Sequence, residues 1–133
     1  MAGTRIITVD GQPILEVDYT GAKEAEMIGV LEQAEELLRN ESKPLPILTL
    51  FGGTNYATPE FLRKLENDLS DLHQKITKQS VVGLSATQKM LLLGLNIFLQ
   101  RNFKIHDTRE EGIRYLLDDQ PEEPLPSWFS KKK

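Results

Sequence analysis

A chain of 133 residues is long enough for one domain with its own hydrophobic core, and 39% hydrophobic with 27% charged residues is typical of a globular protein rather than a disordered one. A net charge of -4 disfavours nucleic-acid binding, because neutralising phosphates requires a dense basic surface. The absence of cysteine excludes thiolate chemistry and favours a reducing compartment. The amino terminus lacks a signal-peptide core, and residues 89–98, the most apolar stretch, are too short to span a bilayer. We therefore expect a cytoplasmic protein without a transmembrane segment.

The first two predicted elements are strands that form a hairpin. Thr4–Val9 and Pro13–Asp18 are rich in Ile, Val and Leu. Asp10 and Gly11 between them suit the positive backbone angles of a tight turn. The pattern predicts antiparallel pairing.

An amphipathic helix follows Thr20 and Gly21. Its apolar residues recur at spacings of four, three and four, and they are Met27, Leu31, Ala34 and Leu38. Its acidic residues are expected to form a solvated face, and they are Glu24, Glu32, Glu35 and Glu36.

The central part of the chain predicts a buried strand and a second helix. Ile47–Phe51 is an almost unbroken apolar run, which is typical of a strand covered on both faces. After two glycines, Thr58 and Pro59 provide an N-cap and a favoured first helical residue. An apolar stripe then predicts a helix to about Lys78, and its members are Phe61, Leu65, Leu69, Leu72 and Ile76.

The segment SVVGLSATQKMLLLGLNIF, residues 80–98, predicts a strand, a tight turn at Gly83 and a third helix. Ser85 and Gln88 have the spacing of a capping box at the helix start. The helix is apolar on more than one face, so it needs more than one partner. We expect a core helix, with a dimer interface or an apolar ligand pocket as alternatives that involve Leu91, Leu95 and Phe98.

The last elements are a short strand, Phe103–His106, and a helix that ends near Leu117. Thr108 and Glu111 form a second capping box at the start of that helix. Residues 119–133 are proline-rich and end in lysines, so we expect a tail. Residues 1–118 are thus predicted to form a single α/β domain: a mixed sheet with an antiparallel hairpin, later parallel strands and about four helices.

Two loops are expected at the carboxyl ends of the parallel strands, where ligands of open α/β sheets bind. We call residues 52–58 and 83–87 the recognition edge. The candidate binding residues in these loops are Gly52, Gly53, Thr54, Tyr56, Thr58, Gly83, Ser85 and Thr87. Neither loop matches a nucleotide-binding motif, so we expect no cofactor.

Serine-hydrolase chemistry is a weaker alternative. Gly83, Ser85 and Thr87 imitate the nucleophile elbow, but the β-branched Thr87 replaces the required glycine. His73 and His106 are the only imidazole bases, and their sequence positions suggest no triad. Two isolated histidines also give no metal-ligand set, so we expect no metal site and no catalytic residues.

The order of elements, the segment SVVGLSATQKMLLLGLNIF and the closing FKIHDTREEGIRYLL resemble the bacterial STAS-like, anti-sigma-factor-antagonist-like (SpoIIAA-like) family. The resemblance extends from Thr4 to Leu117. It implies a STAS-like fold and a non-enzymatic regulatory module that binds a protein partner.

Classical STAS domains are switched by phosphorylation of a serine in an Asp-Ser-x-Gly motif after a central strand. Here that position reads FGGTN, residues 51–55, so the phosphoserine is not carried over. Thr54 and Thr58 are hydroxyls near a helix start, where a phosphate is stabilised. Related CRAL-TRIO folds hold lipids, so the alternative is a carrier of a small apolar ligand. A homodimer is also compatible with the sequence.

Overall fold

The computed structural model describes residues 3–52, 58–86, 90 and 103–118. These residues form one five-stranded sheet in the order β1-β2-β3-β4-β5. The strands are β1 (Gly3–Val9), β2 (Gln12–Asp18), β3 (Leu45–Leu50), β4 (Ile76–Val82) and β5 (Phe103–His106). The helices are α1 (Glu24–Asn40), α2 (Pro59–Asp71) and α3 (Arg109–Leu117), with a 3-10 turn at His73–Lys75.

The predicted hairpin is confirmed. β1 and β2 pair antiparallel, and the turn residues Asp10 and Gly11 have φ angles of 52° and 79°. Two consecutive residues with positive φ give the turn a twist that matches the flanking strands.

The parallel part of the sheet is also confirmed. β2, β3, β4 and β5 pair parallel in sequence order, and α1 and α2 are the first two crossovers. The third crossover lies mostly outside the described residues, although Ala86 and Met90 within it are helical. Most of the helix predicted after Ser85, and the predicted tail, therefore lie outside the described residues.

Helices cover both faces of the sheet, as the apolar run of β3 predicts. One face carries α1 and α2, with a core that includes Leu15, Ile47 and Val81. The other face carries α3 and a smaller cluster that includes Leu48 and Val82. Alternate residues of one strand thus enter different cores.

The predicted extent of the second helix is wrong. α2 ends at Asp71, and Leu72 leaves helical geometry with φ -110° and ψ 18°. Ile76 begins β4, where it pairs with Leu45 of β3. The helical spacing of Leu72 and Ile76 is coincidental, because the sheet ladder and the β-branched residues of this segment favour a strand.

One acidic residue of α1 is also placed differently from the prediction. Glu35 is buried at 7% exposure, whereas Glu24, Glu32 and Glu36 are exposed. The solvated acidic face is therefore smaller than expected. Within the described part of the chain, no helix is long and apolar enough to cross a membrane.

Candidate functional site

The recognition edge begins where four strands end together. Asp18, Leu50, Val82 and His106 are successive partners across the parallel strands. The segments that follow these residues consequently leave the sheet at one edge.

The structure describes four of the eight predicted binding residues at this edge: Gly52, Thr58, Gly83 and Ser85. The other four lie outside the described residues, and they are Gly53, Thr54, Tyr56 and Thr87. The predicted apolar pocket or interface of Leu91, Leu95 and Phe98 also lies outside them.

Backbone hydrogen bonds continue beyond the strand ends and join the loops. The Tyr19 amide donates to the Leu50 carbonyl at 2.8 Å, and the Phe51 amide donates to the Val82 carbonyl at 2.8 Å. A longer bond of 3.4 Å joins the Gly21 amide to the Gly52 carbonyl. The first residues of these loops are therefore held as an extension of the sheet.

Gly83 packs directly against the backbone of Phe51, the residue that follows β3. Its φ is +90°, and a Cβ on it would lie 2.0 Å from the carbonyl oxygen of Phe51. No other residue fits, because a side chain would meet both backbone strain and a rigid carbonyl. The glycine is required for contact between two loops of this chain, so a ligand is not needed to explain it.

Thr58 joins the starts of two helices. Its hydroxyl accepts from the Phe61 amide at 3.1 Å, which confirms the predicted N-cap of α2. The same hydroxyl donates to a carboxylate oxygen of Glu24, the first residue of α1, at 3.0 Å. This contact fixes the amino termini of α1 and α2 relative to each other.

Ser85 is an exposed residue of the second loop. It directly precedes the helical residue Ala86, and the neighbouring Leu84 is buried at 6% exposure. Leu84 thus anchors the loop to the core while Ser85 faces solvent.

An aromatic cluster supports the edge from the α1–α2 face. The Tyr19 ring stacks on Phe51 at a centroid distance of 5.1 Å and meets the edge of Phe61 at 5.3 Å. All three residues are buried. Tyr19 follows β2, Phe51 follows β3 and Phe61 lies in the first turn of α2. Their packing therefore joins three chain segments beside the recognition edge.

His106 pairs with a serine that the sequence analysis did not single out. The Ser80 hydroxyl lies 2.7 Å from His106 Nδ1. Burial lowers the pKa of His106, which favours a neutral imidazole at neutral pH. The pairing depends on β4 and β5 being neighbours, which the local sequence pattern does not specify.

The Ser80–His106 pair is inaccessible to a substrate from the α3 side. Ser80 has no exposed surface, and Gly112 of α3 packs so closely over it that a Cβ there would lie 2.6 Å from its hydroxyl oxygen. We assign the pair a structural role. Among the described residues, no group of three or more His, Asp or Glu side chains is arranged to hold a metal ion.

Comparison with known proteins identifies the fold. No protein-family model matches the chain, and no curated protein sequence is similar to it. It is similar to the crystal structure of an uncharacterised DUF3478-family protein from Shewanella loihica PV-4, described as having a SpoIIAA-like fold. The TM-score is 0.51 at 16% identity, and the match covers 87% of this chain and 95% of the other. The chain therefore has a SpoIIAA-like fold, as its resemblance to that family predicted.

Proposed function

We propose that this chain is a non-enzymatic interaction module that binds a protein partner through the recognition edge. The observation that carries the proposal is the way in which backbone contacts hold the described residues of that edge. Gly83 packs directly against the Phe51 carbonyl, and backbone hydrogen bonds join the loops on either side. The described residues of the edge are thus held in place, and a surface that is already ordered loses little conformational entropy when a partner docks on it.

The polar groups of the edge support binding better than hydrolysis. A serine hydrolase would need an imidazole oriented toward Ser85. His106 instead contacts Ser80 through Nδ1, and His73 lies in the exposed 3-10 turn before β4. Ser85, an exposed residue of the second loop, is then a surface position that a partner can contact.

The hydroxyl groups of the edge differ in how well they suit regulation by phosphorylation. A phosphate on Thr58 would remove the N-cap of α2 and face the Glu24 carboxylate, now 3.0 Å away. Like charges at that distance repel each other, so Thr58 is a poor site. Ser85, exposed and next to a helical residue, is the better candidate among the described hydroxyls at this edge.

A carrier of a small apolar molecule is the second candidate. The observation that favours it is Met90, which is 76% exposed at the start of the most apolar stretch of the sequence. An exposed, flexible thioether is typical of surfaces that bind apolar groups. A second copy of the chain could use the same surface.

The test is site-specific photo-crosslinking with the full-length chain. A photoreactive amino acid replaces Ser85, and the matched control carries it at Lys43, exposed in the loop before β3 at the opposite end of the sheet. We expect discrete crosslinks to a protein from Ser85 and none from Lys43. Equal crosslinking from both positions, or from neither, contradicts the proposed edge.

Two further measurements separate the alternatives. Native mass spectrometry followed by denaturation reports an apolar ligand as a mass that is lost, and it reports a dimer directly. A fluorophosphonate probe that labels Ser85 would favour the hydrolase. An unlabelled chain without bound ligand is the result that the interaction module predicts.

A further inference from the structure

The outer edge of β1 is an open side of the sheet. β1 is the first strand in the order β1-β2-β3-β4-β5, and within the described part of the chain it pairs with β2 alone. A strand in this position presents a row of backbone amide and carbonyl groups that have no ladder partner. Such a row is a template for pairing with a strand of another molecule.

The hairpin turn determines which backbone groups of β1 face outward. The turn consists of Asp10 and Gly11, both with positive φ. A two-residue turn of this type makes the flanking Val9 and Gln12 a hydrogen-bonded pair of the ladder. Hydrogen-bonded and non-hydrogen-bonded pairs alternate along an antiparallel ladder. The residues of β1 whose amide and carbonyl groups point away from β2 are therefore Thr4, Ile6 and Thr8.

The side chains of the same three residues lie on one face of the sheet. The Thr4 hydroxyl donates to the Val30 carbonyl of α1 at 2.9 Å, which places Thr4 on the α1–α2 face. Strand alternation places Ile6 and Thr8 on that face too. Ile6 is 38% exposed, and it is one of the two large apolar residues that are exposed among those described. The centre of the open edge is thus both apolar and uncovered.

β1 lacks the features that commonly keep edge strands from pairing. It is seven residues long, contains no proline and keeps one register with β2 over its whole length, so no bulge bends it away. Its one charged residue, Arg5, is paired at 2.7 Å with Glu16 of the neighbouring strand. β5, at the other edge of the described sheet, has only four residues and includes Lys104. β1 is consequently the edge that is better suited to association.

The sequence of β1 is self-complementary about Ile6. Two antiparallel copies centred on this residue place the two Ile6 side chains opposite each other, and Thr4 of one copy opposite Thr8 of the other. Each of these pairs brings outward-pointing amide and carbonyl groups together, so each is a hydrogen-bonded pair. Cross-strand apolar and Thr–Thr pairs stabilise a ladder. Arg5 lies opposite Ile7 of the second copy, so no like charges are directly opposed.

We propose that the chain forms a homodimer in which the β1 strands of two copies pair antiparallel about Ile6 and join the two sheets into one. A two-fold axis at the centre of this ladder gives both copies the same contacts. Because the two β1 strands run in opposite directions, the recognition edges of the two copies lie at opposite ends of the joined sheet. The dimer uses the side of the sheet, and the recognition edge uses the strand ends, so either can fail without the other.

Sedimentation velocity of the full-length chain over a concentration series tests the dimer. The unmodified chain should shift from monomer to dimer as its concentration rises. Ile6→Lys places like charges directly opposite each other at the centre of the ladder and should raise the dimer dissociation constant at least about tenfold. The matched control is Met90→Lys, which changes the other exposed apolar residue, outside β1, and should leave the constant unchanged. A chain that is monomeric at every soluble concentration, or a dimer that Ile6→Lys leaves intact or Met90→Lys abolishes, overturns the proposal.

Cysteine crosslinking tests the register and also decides the matter if Ile6→Lys does not fold. The chain has no cysteine of its own, and directly opposed Cα atoms of a hydrogen-bonded pair lie about 5.5 Å apart, which a disulfide spans. Under mild oxidation, Ile6→Cys should form a covalent dimer, and Thr4→Cys mixed with Thr8→Cys should form a mixed one. Thr8→Cys alone should not crosslink, because its two copies lie on opposite sides of the centre.

Two crosslinking results would contradict pairing about Ile6. One is a Thr8→Cys chain that crosslinks to itself as readily as Ile6→Cys does, or an Ile6→Cys chain that forms no covalent dimer. The other is an Ile6→Cys chain that crosslinks in a cell lysate to a different protein and not to itself, which would assign the open edge of β1 to another partner.

Discussion

On the α3 face of the sheet, the buried carboxylate of Glu16 accepts from Arg5 at 2.7 Å and from Arg109 at 2.9 Å. On the α1–α2 face, the buried carboxyl of Glu35 has one long contact with Arg39, and its other oxygen has no hydrogen-bond partner among the described residues. The hydroxyl groups differ in the same way: Ser80 is paired with His106, whereas the Tyr19 phenol has no hydrogen-bond partner in the part of the chain that the structure describes. These buried polar groups thus have more hydrogen-bond partners on the α3 face, beside the smaller hydrophobic cluster, than on the α1–α2 face.

Buried polar groups affect the stability of their surroundings in two ways, depending on whether they are paired. A fully paired group fixes one arrangement of its neighbours, because any movement leaves it unsatisfied. An unpaired group costs free energy in the closed state and lowers the free energy needed to open that region. The paired groups of the α3 face should therefore resist local opening more than the unpaired groups of the α1–α2 face do.

The largest expected effect is on the α3 face. Gly112→Ala places a Cβ 2.6 Å from the Ser80 hydroxyl oxygen and 3.0 Å from a Leu48 methyl. We expect the free energy of unfolding to fall by about 2–4 kcal/mol in urea denaturation, because this interface has no space for a methyl group.

The matched control for Gly112→Ala is on the other face. Gly29 of α1 is exposed, and a Cβ added to it would have no atom within 4 Å among the described residues. Gly29→Ala should stabilise the protein by about 0.5–1 kcal/mol through helix propensity alone. Equal effects of the two substitutions would show that packing on the α3 face is not tight.

The second prediction concerns pH. The pKa of Glu35 rises from about 4.5 in the unfolded chain to about 7 in the folded chain. The folded state then binds more protons in this window, so stability is full below about pH 4.5 and falls as pH rises through 7. The expected loss is about 1–3 kcal/mol, measured by urea denaturation at several pH values.

Asp68 has the opposite sign. Its pKa is lowered on folding, so its contribution is present above the unfolded value and is lost as pH falls through the folded one. Together the two groups predict a stability maximum in mildly acidic solution. A profile that rises steadily between roughly pH 5 and pH 8 would contradict the raised pKa of Glu35.

Local signals predicted much of this fold. The hairpin turn at Asp10, the strand Phe103–His106 and the Thr108–Glu111 capping box are each specified by a few adjacent residues, and the structure has all three. The end of α2 was missed because Ile76 continues a helical stripe while its pairing with β3 is a tertiary effect.

The polar groups of the core were harder to predict. The Ser80–His106 pair depends on the register of β4 with β5, which a long crossover separates in sequence. Glu35 did carry a signal, because it lies four residues after Leu31 and three before Leu38, two residues of the buried stripe. Its charge suggested solvent, but its position in the helical repeat indicated the core.

The third prediction applies one substitution to both faces. Glu16→Gln loses charge-assisted hydrogen bonds to Arg5 and Arg109 and should destabilise the protein by about 1–2 kcal/mol near pH 8. Solvent screening keeps the effect moderate, because both arginine side chains are well exposed. Glu35→Gln at the same pH removes a buried charge and should be neutral or stabilising. Loss of stability in both variants would remove the contrast between the faces.

The smallest expected effect comes from deleting one buried hydroxyl on each face. Ser80→Ala leaves His106 Nδ1 without its partner and should cost about 1–2 kcal/mol. Tyr19→Phe removes a phenol oxygen that has no hydrogen-bond partner among the described residues, and it should change stability by less than about 0.5 kcal/mol. The ring contacts of Tyr19 with Phe51 and Phe61 remain in the phenylalanine variant, so packing is unchanged. A cost above about 1 kcal/mol for Tyr19→Phe would mean that the phenol is hydrogen-bonded in solution. The two faces would then differ in how their hydroxyl groups are paired and not in whether they are.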